Sequence, residues 1–190
     1  MDNFCHTLVG AAFGEAGLKR RTRFGNATLM IAANLPDLDV LVFATDIPSV
    51  AFRRGWTHGT IAQALLPVVL TAAMCAVSRI VPARGDRTPI RARSLLLLAY
   101  VGVLSHVAMD LLNTYGVRLL LPFDRRWFYG DAVFIIDPWL WLALGAGVWL
   151  ARRRGAPAPS PTQARRALVV AAVYIAAMCV TARAARHVVL

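Results

Sequence analysis

The chain has 190 residues, of which 58% are hydrophobic and only 16% are charged, and its formal net charge is +11. Soluble domains average about 25% charged residues, so an ordinary soluble fold is excluded, and the apolar content also excludes intrinsic disorder. Basic residues on a hydrophobic chain favour membrane orientation over nucleic acid as the cause of the charge. We therefore expect an all-α, polytopic membrane helix bundle with no nucleic-acid partner.

The first 50 residues differ from the rest of the chain. Residues 4–14 and 24–36 are apolar but short for a membrane span, which needs about 20 residues, and the basic cluster 19–23 separates them. This pattern predicts an N-terminal helical hairpin that dips into the membrane or packs on the bundle. Pro36 is expected to end its second helix. Asp2, ahead of the first apolar run, argues against a cleavable signal peptide.

Four apolar runs predict about four transmembrane helices. They cover residues 55–78, 94–112, 132–151 and 167–182. The Pro/Ala-rich segment 155–166 predicts a linker between a membrane domain, residues 1–154, and a C-terminal transmembrane helix, residues 167–190. The three cysteines are far apart and form no CxxC pair, so a zinc ribbon or a thioredoxin-like motif has no support.

The charged residues are distributed unevenly between the loops. With the 19–23, 79–93 and 152–166 loops on one side of the membrane, that side holds 14 of the 21 Lys and Arg residues. Cytoplasmic loops are enriched in Lys and Arg, so this side is expected to be cytoplasmic. Eight of the ten acidic residues fall on or near the other side, although acidic residues contribute little to topology. We therefore predict a functional site at the extracytoplasmic face.

His106 and Asp110 lie inside a predicted span, four residues apart. Residues at this spacing share one face of a helix, and Asn113 continues the same face. An Asp within the bilayer costs about 2.5–3.5 kcal/mol, so it is expected to face a polar interior and to have a partner. The pair could be a metal-binding element or simply a hydrogen bond between helices.

Three further elements extend this set. The segment NLPDLD at 34–39 places two carboxylates after a predicted helix end, His58 lies at the start of a span, and His6 lies in the first helix. Imidazole and carboxylate ligands suit one or two divalent ions, zinc above all, with manganese or iron as alternatives. His187, near the C-terminus, is expected to be solvated. The predicted metal ligands are His6, Asp37, His58, His106 and Asp110.

Two carboxylates and four arginines complete the predicted site. Asp39 and Asp137 are candidate catalytic residues that would accept a proton from water, and Asp137 could instead orient a ligating histidine. The guanidinium groups could bind a phosphate through their forked donors, or they could contact lipid head groups. The arginines predicted to bind substrate are Arg53, Arg54, Arg125 and Arg126.

These residues resemble a known family, the bacterial inner-membrane, LexA-regulated metal-dependent hydrolases. The resemblance covers roughly residues 1–140. It rests on His6 and on the segments NLPDLD at 34–39, RRGWTHG at 53–59 and SHVAMDLLNTYGVRLLLPF at 105–123. It implies a multi-pass inner-membrane protein with a metal-dependent hydrolase activity.

A more distant likeness is to the zinc-dependent phospholipase C and single-strand nuclease superfamily. The order of five residues carries it: His6, Asp37, His58, His106 and Asp110. The chain lacks a further downstream histidine-rich ligand set, so one or two ions are expected rather than three. The likeness implies zinc-activated water that attacks a phosphodiester.

The expected function is a membrane metallohydrolase that cleaves a phosphodiester or ester bond. A lipid or lipid-linked, phosphate-bearing substrate is expected, because it would arrive within the bilayer, and membrane lipids are the expected partners. One alternative is a metal or proton transporter, in which the same residues form a relay. Another is a stress-response membrane protein with a structural metal.

Overall fold

The computed structural model describes residues 1–82, 88–153 and 161–189. These residues form seven α-helices and two 3₁₀ helices, and the described part of the chain contains isolated β-bridges but no strand. The all-α prediction is confirmed. The α-helices are α1 (Asn3–Glu15), α2 (Gly25–Ala32), α3 (Ser49–Phe52), α4 (Thr60–Ile80), α5 (Ala92–Leu111), α6 (Pro138–Arg152) and α7 (Pro161–Val189), and the 3₁₀ helices are Leu18–Arg21 and Leu35–Ala44.

The long helices run between two ends of one bundle. At the first end, Arg152 Nε donates to Glu15 Oε1 at 2.7 Å, Arg165 Nε donates to the Ala16 carbonyl at 2.9 Å, and Arg23 Nη2 donates to the Val81 carbonyl at 2.8 Å. We call this the basic end. It brings together the described parts of the three loops that are predicted to be cytoplasmic.

The opposite end holds the N-terminus of α1 and the C-terminus of α7. The Asp2 amide donates to the Ile135 carbonyl at 3.0 Å, and Arg186 Nη2 donates to the Gly130 carbonyl at 2.8 Å. Asp37 and Asp110 lie at this end as well. We call it the acidic end.

Small residues allow the helices of the bundle to approach closely. A side chain at Gly10 or Gly14 of α1 would collide with α2, and one at Gly102 of α5 would collide with Ala32 and Ala33. Close backbone approach at small residues is a common way to pack helices in membranes. The contact at Gly102 places the end of α2 beside α5, one turn from His106.

Three helices among the described residues are long and apolar enough to cross a membrane. They are Thr60–Ile80, Ala92–Leu111 and Pro161–Val188, and the bent pair Gly25–Ala32 with Leu35–Ala44 makes up to four. The predicted spans 55–78, 94–112 and 167–182 therefore each correspond to one of these long helices.

The predicted span 132–151 is wrong in its start and length. Helix α6 has 15 residues, which rise about 22 Å and fall short of the hydrocarbon thickness of about 30 Å. It begins at Pro138 because the Asp137 side chain accepts hydrogen bonds from the first free amides and proline fits the first turn. The preceding residues are not helical, and the Ala132 amide donates to the Leu112 carbonyl at 2.9 Å.

The N-terminal hairpin is present as α1 and α2, which pack together. Pro36 does not end α2, because that helix already ends at Ala32, and Pro36 instead lies in the first turn of the 3₁₀ helix Leu35–Ala44. Residues 161–166, predicted to be linker, are helical because α7 begins at Pro161. The rest of that linker, 155–160, and positions 83–87 of the 79–93 loop lie outside the described residues.

Candidate metal centre

Four buried side chains from three segments meet at the acidic end. Asp37 comes from the 3₁₀ helix, His58 from the turn before α4, and His106 and Asp110 from successive turns of α5. Each is at most 7% exposed. One potential ligand atom of each lies within 4.8 Å of the others. We call these four residues the central group.

The spacing of the four atoms suits a small four-coordinate ion. The two imidazoles approach with His58 Nε2 and His106 Nε2 3.0 Å apart. Asp110 Oδ2 lies 3.5 and 3.6 Å from these two nitrogens, and Asp37 Oδ1 lies 3.9 and 3.7 Å from them. Ligand atoms that are each about 2.0–2.2 Å from a tetrahedral zinc ion lie about 3.3 Å from one another.

Hydrogen bonds behind the two imidazoles set which nitrogen faces the centre. His106 Nδ1 lies 2.7 Å from the Ala33 carbonyl, which can only accept, so Nδ1 carries the proton and Nε2 has the free lone pair. The close contact at Gly102 brings that carbonyl into reach. His58 Nδ1 lies 3.0 Å from Thr57 Oγ1 and 3.5 Å from Asp39 Oδ2. Such partners orient metal-ligating histidines.

The imidazole of His58 is neutral at physiological pH. Burial, followed by the nearby His106 and Arg54, lowers the pKa of His58 to about 2. A neutral imidazole is the form that binds metals. The ring therefore presents its lone pair to the centre without first having to lose a proton.

The two carboxylates of the central group each keep one oxygen without a hydrogen bond. Within residues 1–82, 88–153 and 161–189, Asp37 Oδ1 and Asp110 Oδ2 are buried and accept no hydrogen bond, although Arg54 Nη2 lies 3.2 Å from Asp110 Oδ2. These are the same two oxygens that face the imidazoles. Buried polar atoms usually have partners, and exceptions call for a cause such as an ion. The central group could therefore hold a metal ion.

His6 lies beside the central group rather than within it. Its ring stacks on that of His106 with centroids 3.8 Å apart, and His6 Nε2 lies 3.3 Å from Asp110 Oδ1. This is the second oxygen of Asp110, which also contacts the Met1 amino group and Asn113 Nδ2. Burial, followed by the nearby His106 and the Met1 amino group, holds the pKa of His6 well below its usual value. His6 therefore faces Oδ1 of Asp110, whereas His58 and His106 face Oδ2.

Asp39 does not reach the centre, which differs from the predicted role as a proton acceptor. Its Oδ2 accepts from the Arg54 amide at 2.7 Å and from Thr57 Oγ1 at 3.1 Å, and it faces Nδ1 of His58. The centre lies on the other side of that ring, at Nε2. Asp39 thus positions His58 from the side away from the centre, and its role as a proton acceptor stays a prediction.

Asp137 is not brought to the central group either. Its Oδ1 accepts from the amides of Trp139 and Leu140 at 3.0 and 3.1 Å, and its Oδ2 accepts from the Tyr174 hydroxyl at 2.9 Å. Both oxygens are engaged in capping α6 and joining it to α7. The structure therefore gives Asp137 a structural role, and its catalytic role stays a prediction.

The four predicted substrate-binding arginines separate into two pairs. Arg53 and Arg54 line a cavity of about 210 Å³ together with Asp37 and Tyr115. Arg125 and Arg126 do not line this cavity. Arg126 is exposed and pairs with Asp124 at 2.6 Å, and Arg125 is exposed as well.

Arg54 also supports the central group. It is 4% exposed, and Nη1 donates to Asn113 Oδ1 at 3.1 Å while Nη2 faces Asp110. Its backbone is left-handed, with φ of 51°, which directs its amide at Asp39. Such a backbone costs about 1–2 kcal/mol in a residue other than glycine, so the surrounding contacts hold it in place.

Two participants were missed by sequence reasoning. Tyr115 lines the cavity, and although it lies within the segment 105–123 that carries the family resemblance, no charge or spacing singles it out. The Ala33 carbonyl orients His106, and here a signal was present: Gly102 precedes His106 by one helical turn, which indicates a backbone passing close to that face of α5.

Comparison with known proteins gives the family. The profile described as YdjM inner membrane protein matches residues 1–187. The chain belongs to the YdjM inner membrane protein family. The predicted family resemblance is thereby confirmed, and membership of this family agrees with the long apolar helices. The sidedness of the bundle in the membrane stays a prediction.

One curated relative of this YdjM-family chain comes from Bacillus subtilis (strain 168). It bears the name uncharacterized protein YfhP and is 22% identical over 166 residues, which cover 83% of this chain and 48% of the relative. The chain thus spans about half the length of the curated relative it matches. No solved structure matches the chain. The more distant likeness to the phospholipase C and nuclease superfamily has no support from these comparisons and stays a prediction.

Proposed function

We propose that this YdjM-family protein is an integral inner-membrane, metal-dependent hydrolase of phosphodiester or ester bonds. The central group carries the proposal, because two oriented imidazoles and two carboxylate oxygens without hydrogen bonds converge in a buried site. A divalent ion held there would lower the pKa of a bound water towards about 7 and so provide a nucleophile at neutral pH.

The chain's own residues have distinct tasks in this proposal. The residues that would hold the ion are Asp37, His58, His106 and Asp110. Their mixed N/O set favours zinc, with manganese or iron as alternatives. The resemblance of residue order to the phospholipase C and nuclease superfamily also favours zinc. His6, which faces the second oxygen of Asp110, would take part if two ions bind.

Arg53 is the residue best placed to bind an anionic substrate. It lines the cavity beside Asp37, and its side chain is 26% exposed, so its guanidinium remains accessible. Forked guanidinium donors match the oxygens of a phosphate. Because the site lies at one end of membrane-spanning helices, a lipid or lipid-linked substrate could reach it from the bilayer.

Metal-dependent hydrolysis by the purified full-length chain tests the proposal. The chain, stripped with a chelator and reloaded with Zn²⁺ or Mn²⁺, is expected to hydrolyse a chromogenic phosphodiester or ester. His106→Ala should lose both bound metal, by elemental analysis, and hydrolysis, which should fall to the uncatalysed background. His187→Ala, at an exposed position near the end of α7, should retain both.

Three results would contradict the proposal, and each points elsewhere. Equal metal content in the wild type and His106→Ala would show that the central group does not bind the metal. Metal uptake into proteoliposomes without hydrolysis would favour a transporter, since buried His and Asp residues also form relays in membranes. If the wild type hydrolyses nothing, and His106→Ala loses thermal stability in parallel with its bound metal, a structural metal would be favoured.

A further inference from the structure

An apolar hollow lies next to the polar cavity of the central group. Its volume is about 320 Å³. Its apolar lining comes from the 3₁₀ helix and the residues that follow, chiefly Leu38, Leu41, Val42, Ile47 and Phe52. Three polar residues, Asp39, Thr45 and Thr57, complete the lining.

The hollow and the polar cavity share a wall. Asp39 lines the hollow, and its Oδ1 lies 3.5 Å from Nε of Arg53, which lines the polar cavity. The guanidinium of Arg53 lies 5.2 Å from the ring centroid of Phe43, within the 3₁₀ helix. A molecule whose anionic group binds at Arg53 could therefore extend past Asp39 into the hollow.

The segment around the hollow is apolar on its outer surface. Leu38 is 51% exposed, Leu41 66%, Phe43 61% and Ile47 52%. The 3₁₀ helix also belongs to the bent helix pair that is apolar enough to enter a membrane. Large apolar side chains exposed together mark contact with a membrane, ligand or partner, and the apolar bent helix pair favours the membrane among these. The hollow therefore suits a hydrocarbon chain.

We infer that the hollow lined by Leu38, Leu41 and Val42 binds the hydrocarbon tail of a substrate whose anionic head group binds at Arg53. This inference rests on the proposed function and narrows it, because the substrate becomes an amphiphile with an anionic head group. A water-soluble phosphodiester would occupy only the polar cavity. Each methylene moved from water into an apolar site contributes about 0.8 kcal/mol, so the hollow would favour long-chain substrates.

Photo-crosslinking tests the tail site without requiring hydrolysis. The full chain is reconstituted into phosphatidylcholine vesicles that contain phosphatidylglycerol with a diazirine in one acyl chain, and crosslinks are mapped by mass spectrometry. The expected result is enriched crosslinking in residues 38–52 that unlabelled phosphatidylglycerol competes away. The same diazirine on phosphatidylcholine, which has no net negative charge for Arg53, should crosslink less.

Variants that fill the hollow provide the decisive comparison. Leu41→Trp, at an exposed position, and Val42→Trp, at the buried base, should each reduce crosslinking about tenfold, which corresponds to about two methylenes. Val69→Trp, on the exposed face of α4, is the matched control and should change nothing. If Val42→Trp fails to fold, Leu41→Trp alone decides.

The outcomes separate the tail site from the proposed function. Unchanged crosslinking in Leu41→Trp, or crosslinking no stronger than at the Val69 face, would overturn the tail site even if the protein hydrolyses soluble phosphodiesters. Localised, competable crosslinking in a protein that hydrolyses nothing would support the tail site and contradict the hydrolase. If both hold, Leu41→Trp should slow hydrolysis of long-chain substrates and spare soluble ones.

Discussion

The two ends of the bundle differ in how completely their buried carboxylates are hydrogen-bonded. At the basic end, Glu15 accepts hydrogen bonds from Arg152 and Lys19, whose side chains are 47% and 36% exposed. At the acidic end, Asp37 and Asp110 each keep one buried oxygen that accepts no hydrogen bond from any described residue. Both oxygens of Glu15 are thus hydrogen-bonded, whereas one oxygen of Asp37 and one of Asp110 are not, although Arg54 and the Met1 amino group lie beside Asp110.

This difference favours the acidic end as the place of the candidate metal centre. A buried polar group without a partner costs about 1–3 kcal/mol, and folding alone gives no reason to retain several of them side by side. The basic end has charges that hold helices together and that also suit membrane orientation. The acidic end instead brings together a set of atoms that could bind a cation.

The largest effect expected from this comparison concerns sidedness. Tyr129→Cys, 57% exposed at the acidic end, should be labelled in intact cells by a membrane-impermeant maleimide. Arg93→Cys, exposed at the basic end, should not be labelled, because the basic end is predicted to face the cytoplasm.

The labelling experiment has two internal controls. The wild-type chain, with its buried or partly buried Cys5, Cys75 and Cys179, gives the background. Arg93→Cys should become labelled once the membrane is permeabilised. The reverse pattern in intact cells would place the central group at the cytoplasmic face.

A smaller effect is expected at Asp39, which supports His58 from behind. Asp39→Asn keeps the shape of the side chain but removes the charge that faces His58 Nδ1. Loss of such a partner typically lowers metal affinity about 10–100-fold. Competition with a chromophoric chelator measures the change. Asp46→Asn, at an exposed position, should leave the affinity unaltered, and an equal loss in both variants would refute the positioning role.

The parts of the site that follow local periodicity could be predicted from the sequence. The spacing of His106 and Asp110 puts both on one face of α5 in any helix. Asp37 follows a short apolar run, and His58 lies at the start of a span. Both positions are expected at the same side of the membrane, which is why these two residues could be identified. The long helices α4 and α5 were equally predictable from their apolar length.

The parts that depend on tertiary contacts could not be predicted. A carboxylate at a helix start, such as Asp137, has the same sequence signature whether it caps the helix or serves a site, and only the contact with Tyr174 decides. Arg54 and Arg126 each follow another arginine in the sequence, yet one is buried beside Asp110 and the other pairs with Asp124. Helix packing determines these partners, and local sequence does not encode it.

The smallest expected effect concerns the pH dependence of the basic end. Burial opposes the charge of Glu15, but hydrogen bonds and charge from Lys19 and Arg152 outweigh it, so the pKa of Glu15 lies below its usual value. A carboxylate with a lowered pKa stabilises the fold above its unfolded-state pKa of about 4.3, and the contribution is lost as the pH falls through the folded-state value.

Glu15→Gln should therefore destabilise the bundle near neutral pH, by about 1 kcal/mol, because the partners are partly exposed. Thermal unfolding of the detergent-solubilised chain at several pH values measures this difference. The gap between Glu15→Gln and the wild type should begin to narrow below the unfolded-state pKa of about 4.3 and should close as the pH falls through the lower folded-state pKa, where the wild-type carboxyl becomes protonated. A gap that persists at low pH would mean that packing of α1 against α6, rather than charge, holds the basic end together.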